Sequence, residues 1–309
     1  MKQPNVTSTA VHPSQQPSAT KLAVGQVWLI GCGPGDPELL TLKAARAISS
    51  ADVLIYDRLV DPDVLLHARP DALKIYVGKE GYGPSTPQSE INAKLLEYAQ
   101  SGKRIARLKG GDAFVFARAS EELATLQSAN IPVTVIPGIT AAHACAASAQ
   151  LPLTQRQLIQ QITLVTGTSA DGELDVDWPA LAKPGSASAI YMGLTRAPVL
   201  QRRLLVAGAN PETTTVIVEN GSRENERTIS TRLKYLAEAV EKAGIDGPAI
   251  IFVGLDWTAA GLQTPIETEF YPVDVNMDTT QAAARAETKV AADNTCKNHT
   301  THHKLRRQG

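Results

Sequence analysis

The sequence lacks an excess of either charge. Its 30 lysines and arginines stand against 31 aspartates and glutamates, a formal net charge of −1. No global field therefore draws the chain to nucleic acid or an anionic membrane, and an anionic ligand has to meet locally clustered basic side chains. Cysteine is scarce too. Cys32, Cys145 and Cys296 lie far apart with no C-x-x-C pair, which argues against a disulfide scaffold and for a reducing compartment. No apolar run reaches membrane-spanning length, and the N-terminus lacks the charged-then-apolar order of a secretion signal. A cytoplasmic location is the expectation. What is present is an apolar fraction of 43% over 309 residues, enough for a substantial core and, by size, for about two domains.

Two nucleotide-binding signatures are missing where they would be looked for. Residues 27–60 read VWLIGCGPGDPELLTLKAARAISSADVLIYDRLV: an apolar strand, a glycine-rich turn, a helix and a second strand. The turn Gly31-Cys32-Gly33-Pro34-Gly35-Asp36 has Asp36 where a dinucleotide fingerprint needs its third glycine. Pro34 removes a backbone donor that a phosphate would use, and no Gly-Lys-Ser/Thr follows. The turn serves another ligand or none.

Strands and helices then alternate. Strands are predicted over 27–30, 53–56, 73–77, 104–108 and 133–136, with helices over 38–50, 88–101 and 120–129. A small-residue helix ends at Pro152. A second series places strands over 161–166, 187–191, 214–219, 227–231 and 249–254, with helices over 197–207 and 233–243. The first alternation predicts a parallel-rich sheet with helices on its faces, and the two series together predict two α/β domains, 25–152 and 153–274, with a ligand cleft between them. Residues 1–24 and 275–309 are polar and without apolar period, and are expected to be disordered tails. Cys296, His299, His302 and His303 fall in the second tail, where no packed shell would fix a metal's geometry.

Eight strings occur in one order: the opening GCGPGDPELLTLKAARAISSADVLIYDRLV, then YVGK (76–79), RLKGGDAFVFARASEE (107–122), PGIT (137–140), PLTQR (152–156), VTG (165–167), YMGL (191–194) and VENGS (218–222). Together they resemble the tetrapyrrole methyltransferases over about residues 26–257, most closely the branch that methylates uroporphyrinogen III. The resemblance implies a class III methyltransferase fold with two α/β domains and S-adenosyl-L-methionine folded into the cleft between them. It further implies methyl transfer to C-2 and C-7 of uroporphyrinogen III to give precorrin-2, a soluble homodimer, and no metal, nucleic acid or membrane partner. No dehydrogenase or ferrochelatase pattern follows, so conversion of precorrin-2 to sirohaem is expected to need another protein.

Site residues follow from the resemblance position by position. Pro34, Gly110, Gly111, Asp112, Val115, Thr140, Ala141, Met192 and Gly221 match the cofactor positions. Glycines after a strand let a ligand approach the backbone, and Asp112 is suited to an ammonium or a hydroxyl. Asp57 matches a proton acceptor and Lys79 a proton donor, both at carboxyl ends of strands where open α/β sheets put their sites. Arg118, Glu121 and Arg156 match the substrate side, with Arg58 and Lys109 as helpers toward a macrocycle rich in carboxylates.

The chain departs from the family pattern in one cluster. Ala113 stands for a proline, and Ala117, Ala119 and Ser120 stand for glycines around Arg118. A Cβ at a position needing positive φ costs roughly 1–2 kcal/mol. Gln155 and Thr168 stand where histidines are usual, each removing a titratable group. Transfer to another acceptor, or cofactor binding without transfer, are the alternative activities that these departures leave open.

Overall fold

The computed structural model of the chain describes residues 25–78, 86–168, 174–255 and 268–270. Both expected tails and Lys79 lie outside those residues. The first sheet comprises β1 (Val27–Gly31), β2 (Val53–Tyr56), β3 (Leu73–Tyr76), β4 (Ile105–Lys109) and β5 (Val133–Ile136). Its order is β3-β2-β4-β1-β5, every pair parallel. Because successive side chains point to opposite faces, Trp28, Ile30, Leu54 and Leu108 pack under helix α1 (Leu42–Ser50). Val27, Leu29, Ile55 and Ile105 pack under α2 (Gln88–Gln100) and α3 (Ala119–Ser128). Helices thus cover both faces, which is why β1 is buried along its length and reads as a continuous apolar run.

The predicted helix over 38–50 is two pieces. A 3-10 turn, Pro37–Leu39, is followed by Leu40 in extended conformation, and α1 starts only after Thr41. The Thr41 hydroxyl accepts the Ala44 N–H at 3.1 Å, an N-cap worth about 1 kcal/mol. From there Ala44, Ala47 and Ile48 face the sheet. Full burial of an isoleucine such as Ile48 contributes roughly 1.5–3 kcal/mol.

After β5, α4 (Ala141–Ser148) leads to the second sheet: β6 (Gln161–Thr166), β7 (Ser186–Tyr191), β8 (Thr214–Glu219), β9 (Arg227–Arg232), β10 (Ala249–Val253) and β11 (Thr268–Glu269). Its order is β11-β9-β8-β10-β7-β6. This second sheet is mixed, unlike the first. Pairs β7–β10, β10–β8 and β8–β9 are antiparallel, and only β6–β7 and β9–β11 are parallel. The link between β8 and β9 is too short for a crossover helix, so β9 has to return antiparallel. Helix α4 lies on one face with Tyr191, Val218 and Phe252. On the other lie α5 (Trp178–Ala182), α6 (Ala197–Val206) and α7 (Leu236–Lys242). Helix α5 escaped the sequence reading because it is one short turn-and-a-half, capped by the Asp177 carboxylate on the Ala180 N–H.

Candidate functional site

The glycine turn after β1 is a backbone crossing. A Cβ on Gly31 would stand 2.5 Å from the Gly138 nitrogen and 2.8 Å from the Gly111 carbonyl oxygen, and one on Gly138 would stand 2.3 Å from that same oxygen. Three loops, leaving the carboxyl ends of β1, β4 and β5, therefore meet at backbone contact. The Cys32 and Gly33 N–H groups donate to the carbonyls of Lys109 and Gly111, and Gly111 N–H donates back to Gly33 at 2.6 Å. Those donors are spent within the chain. The turn is not a phosphate cradle, in agreement with the missing fingerprints.

The second lobe closes over this edge through specific contacts. The Tyr191 hydroxyl, at the end of β7, lies 2.6 Å from Thr140 Oγ1 and accepts the Ala142 N–H at 3.1 Å, capping α4. Burial raises its pKa above the ordinary tyrosine value. The Phe116 ring rests on Tyr191 with centroids 4.9 Å apart. In the loop after β8, Ser222 Oγ accepts the Asp36 N–H, and Arg223 donates to the Leu59 carbonyl at 3.0 Å. Phe116, Arg118, Met192, Asn220 and Ser222 all adopt positive φ, so left-handed non-glycine residues gather around this cleft. Such conformations persist where surrounding structure enforces them, as at binding sites.

Two cavities occupy the cleft, of about 470 and 430 Å³. Pro34, Arg58, Leu59, Ala141, Tyr191 and Met192 line both, so the cavities adjoin. Gly221 lines the first, beside Cys145, Asn220 and Pro248. Burial pushes the Cys145 thiol up to about 12, which leaves it a neutral part of the wall. Asp57, Gly110, Gly111, Asp112, Val115, Thr140 and Arg118 line the second. The structure thus brings all nine expected cofactor residues to one contiguous space. Asp112 is anchored there by its own carboxylate, which accepts the Phe114 and Gly138 N–H groups.

The substrate-side residues divide. Arg118 pairs with Glu121 through two bonds of 2.7 and 2.8 Å, and this pairing raises the arginine's pKa and lowers the glutamate's. Arg156 is exposed in the turn closed by the Gln155–Ile159 backbone pair and lines neither cavity. Ile159 is buried in the core of the second lobe, which leaves residues 156–158 facing solvent. Arg58 has no carboxylate partner among the described residues, whereas Arg107, Lys109, Arg118 and Arg223 each have one. Lys109, expected as a helper, lines the second cavity but is already paired there. It is 3% exposed, with its ammonium 2.9 Å from both oxygens of Glu122, and desolvation lowers its pKa.

The altered loop is not strained where its glycines are lost. Ala113, Ala117, Ala119 and Ser120 all avoid positive φ, and Phe116 and Arg118 carry it instead. Thr168 lines the first cavity and its hydroxyl approaches Met192 Sδ at 3.7 Å. Two site residues went unread in the sequence, Arg107 and Glu122. The signal was there: charges at 107 and 109, two apart in an otherwise apolar strand, must share one face.

A parallel sheet whose carboxyl ends meet a second, mixed sheet across a paired cavity defines a two-lobed α/β enzyme of small-molecule substrates. The chain belongs to the tetrapyrrole (corrin/porphyrin) methylases, whose family model matches residues 26–237. It is 43% identical over 232 residues to a sirohaem synthase of Stutzerimonas stutzeri and 44% identical over 237 residues to one of Nitrosomonas europaea. These matches cover 75% and 77% of the chain but 50% of each relative, so the chain spans about half the length of the curated relatives it matches. Among solved structures, uroporphyrin-III C-methyltransferase from Thermus thermophilus, complexed with S-adenosyl homocysteine, is 38% identical with a TM-score of 0.64. That match covers 74% of this chain and 92% of the other. A cobalt precorrin-4 methyltransferase of cobalamin biosynthesis matches at 26% identity and a TM-score of 0.67, covering 74% of this chain and 95% of the other.

Proposed function

We propose that this chain transfers methyl groups from S-adenosylmethionine to C-2 and C-7 of uroporphyrinogen III, giving precorrin-2 on the sirohaem, cobalamin or haem d1 branch. The observation that carries this reading is the joined pair of cavities, with the expected cofactor residues on the shared wall and Asp57 and Arg58 beside it. The donor set fits this cofactor. The Cys32 and Gly33 donors of the turn are spent on other loops and Pro34 has none, Asp112 presents a carboxylate to an ammonium, and Met192, Ala141 and Pro34 give an apolar wall for an adenosyl group. The likeness to the Thermus thermophilus enzyme supports the same assignment.

S-adenosylmethionine, when bound, supplies a methyl made electrophilic by a sulfonium. The protein's own residues align the acceptor and manage its proton. Asp57 takes the proton that leaves the pyrrole carbon. Its Oδ1 accepts the Leu59 N–H at 3.1 Å and its Oδ2 accepts from Arg107 at 3.2 Å, which holds the carboxylate at the edge of the second cavity. Arg58 and Arg118 bind carboxylates of the macrocycle. Arg118 uses the part of its fork that Glu121 leaves free.

Uroporphyrinogen III incubated with methyl-labelled S-adenosylmethionine is expected to give a dimethylated product by mass analysis. Cofactor binding with no labelled product would instead favour a non-catalytic binder, and labelling of a different tetrapyrrole alone would favour another acceptor. Arg58→Ala and Arg118→Ala are each expected to raise KM for the tetrapyrrole at least about tenfold with cofactor affinity unchanged, since truncating an arginine that holds a desolvated carboxylate costs about 2–5 kcal/mol. Near-normal steady-state kinetics in either variant would remove that arginine from the substrate face.

A further inference from the structure

Beneath Asp57 lies a buried charge cluster. Glu122 of α3 is fully buried, and its Oε1 accepts from Arg107 Nε at 3.0 Å, Lys109 Nζ at 2.9 Å and Gln88 Nε2 at 3.2 Å. Its Oε2 accepts from Lys109 Nζ at 2.9 Å. Arg107, 3% exposed, spends Nη1 on the carbonyls of Leu108 and Ile55 at 2.6 and 3.4 Å, and Nη2 on Asp57 at 3.2 Å. Two cations thus face two carboxylates. Asp57, Arg107 and Lys109 line the second cavity, but only Asp57 is appreciably exposed there, 28% for its side chain against 4% for either cation, and Glu122 lies wholly beneath α2 and α3.

A buried ion-pair cluster is by itself a weak source of net stability. Positions 107 and 109 face the same apolar layer as Ile105, and hydrophobic residues replace buried ion pairs without loss in many proteins. Although Arg107 lines the second cavity, its Nε and both terminal nitrogens are already engaged and it is 3% exposed, which disfavours a direct pairing with a substrate carboxylate. What the cluster does is fix one outward-facing group. A planar guanidinium gripped on one edge by Glu122 presents its other edge in a set direction, which a lysine's point charge would not do.

We infer that Arg107 is a positioning residue for methyl transfer: anchored by Glu122, it holds Asp57 in the orientation that accepts the proton. The inference rests on the reading of Asp57 given above and assigns Arg107 and Glu122 the support of that carboxylate. Lys109 bridges both oxygens of Glu122 and so holds the anchoring carboxylate in place beside Arg107.

The test is a double-mutant cycle on the full chain with uroporphyrinogen III and S-adenosylmethionine. Arg107→Lys keeps a charge for Glu122 but loses the fork, and is expected to lower kcat at least about tenfold with KM for both substrates and the thermal midpoint nearly unchanged. Asp57→Asn lowers kcat as well. The double variant is expected within about twofold of Asp57→Asn alone, because Arg107 acts through Asp57. Glu122→Gln, which keeps shape and removes one charge, should give the same non-additivity, so the cycle runs on whichever variant folds. A merely structural role would multiply the two losses, and that result overturns the inference while Asp57 stands. Normal kcat in Asp57→Asn overturns the reading of Asp57 and the inference with it.

Discussion

Replacing Gly221 with alanine is expected to lower affinity for S-adenosylmethionine by about 10- to 100-fold, and adding Cys145→Ala is expected to restore most of it. Gly221 follows β8 at the rim of the first cavity. A Cβ there would lie 2.2 Å from Cys145 Sγ, well inside contact distance, and 3.3 Å from Cys145 Cβ. The thiol cannot simply yield, because Cys145 is 3% exposed on α4 and packed among Ala142, Val218 and Tyr191. The loop has to move instead, and with it Ser222 and Arg223, which hold the two lobes together at Asp36 and Leu59. Overpacking of this kind costs about 1–3 kcal/mol. Deleting the sulfur frees the space, since the next atoms lie beyond 3 Å. Isothermal titration of the cofactor into the single and double variants decides the matter. Equal weakening in both would show that Gly221 serves the cofactor by something other than its packing on Cys145.

Asp57→Asn is expected to reduce kcat by about 10²- to 10⁴-fold, the usual range for loss of a general base, while the cofactor dissociation constant stays within about twofold. Asparagine keeps the shape and the oxygen that accepts the Leu59 N–H. It loses the charge facing Arg107 and the basicity needed to take a proton. Single-turnover methyl transfer separates this effect from product release. A parallel loss of cofactor affinity would place Asp57 at the cofactor, and an unchanged single-turnover rate would give the proton to another group.

The glycine positions at the strand ends could be read before any coordinates. The glycines at 31, 33, 110, 111 and 138 fall at strand ends, and the structure uses Gly31, Gly111 and Gly138 for one backbone crossing. Other features resisted for local reasons. The start of α1 was set by a threonine cap inside a segment whose apolar pattern runs through the break. Arg156 sits in a motif of the family yet projects from a turn, because buried Ile159 decides which side of that turn faces the core. Arg118 and Glu121, three apart at the start of α3, pair as helical spacing alone allows.

Local patterning by itself determined the alternation of strands and helices, the two lobes and the identity of the residues on strand ends, because side-chain periodicity and glycine chemistry act over a few neighbouring positions. Only the tertiary structure decided that the second sheet is mixed, that Arg58 has no carboxylate partner among the described residues while its neighbours are paired, and that Lys109 is paired with Glu122. Those outcomes depend on groups far apart in sequence meeting in a medium of low dielectric, such as Asp57 with Arg107 and Gly221 with Cys145. Charge pairing and close packing there follow from which partner arrives, and a one-dimensional pattern does not state the partner.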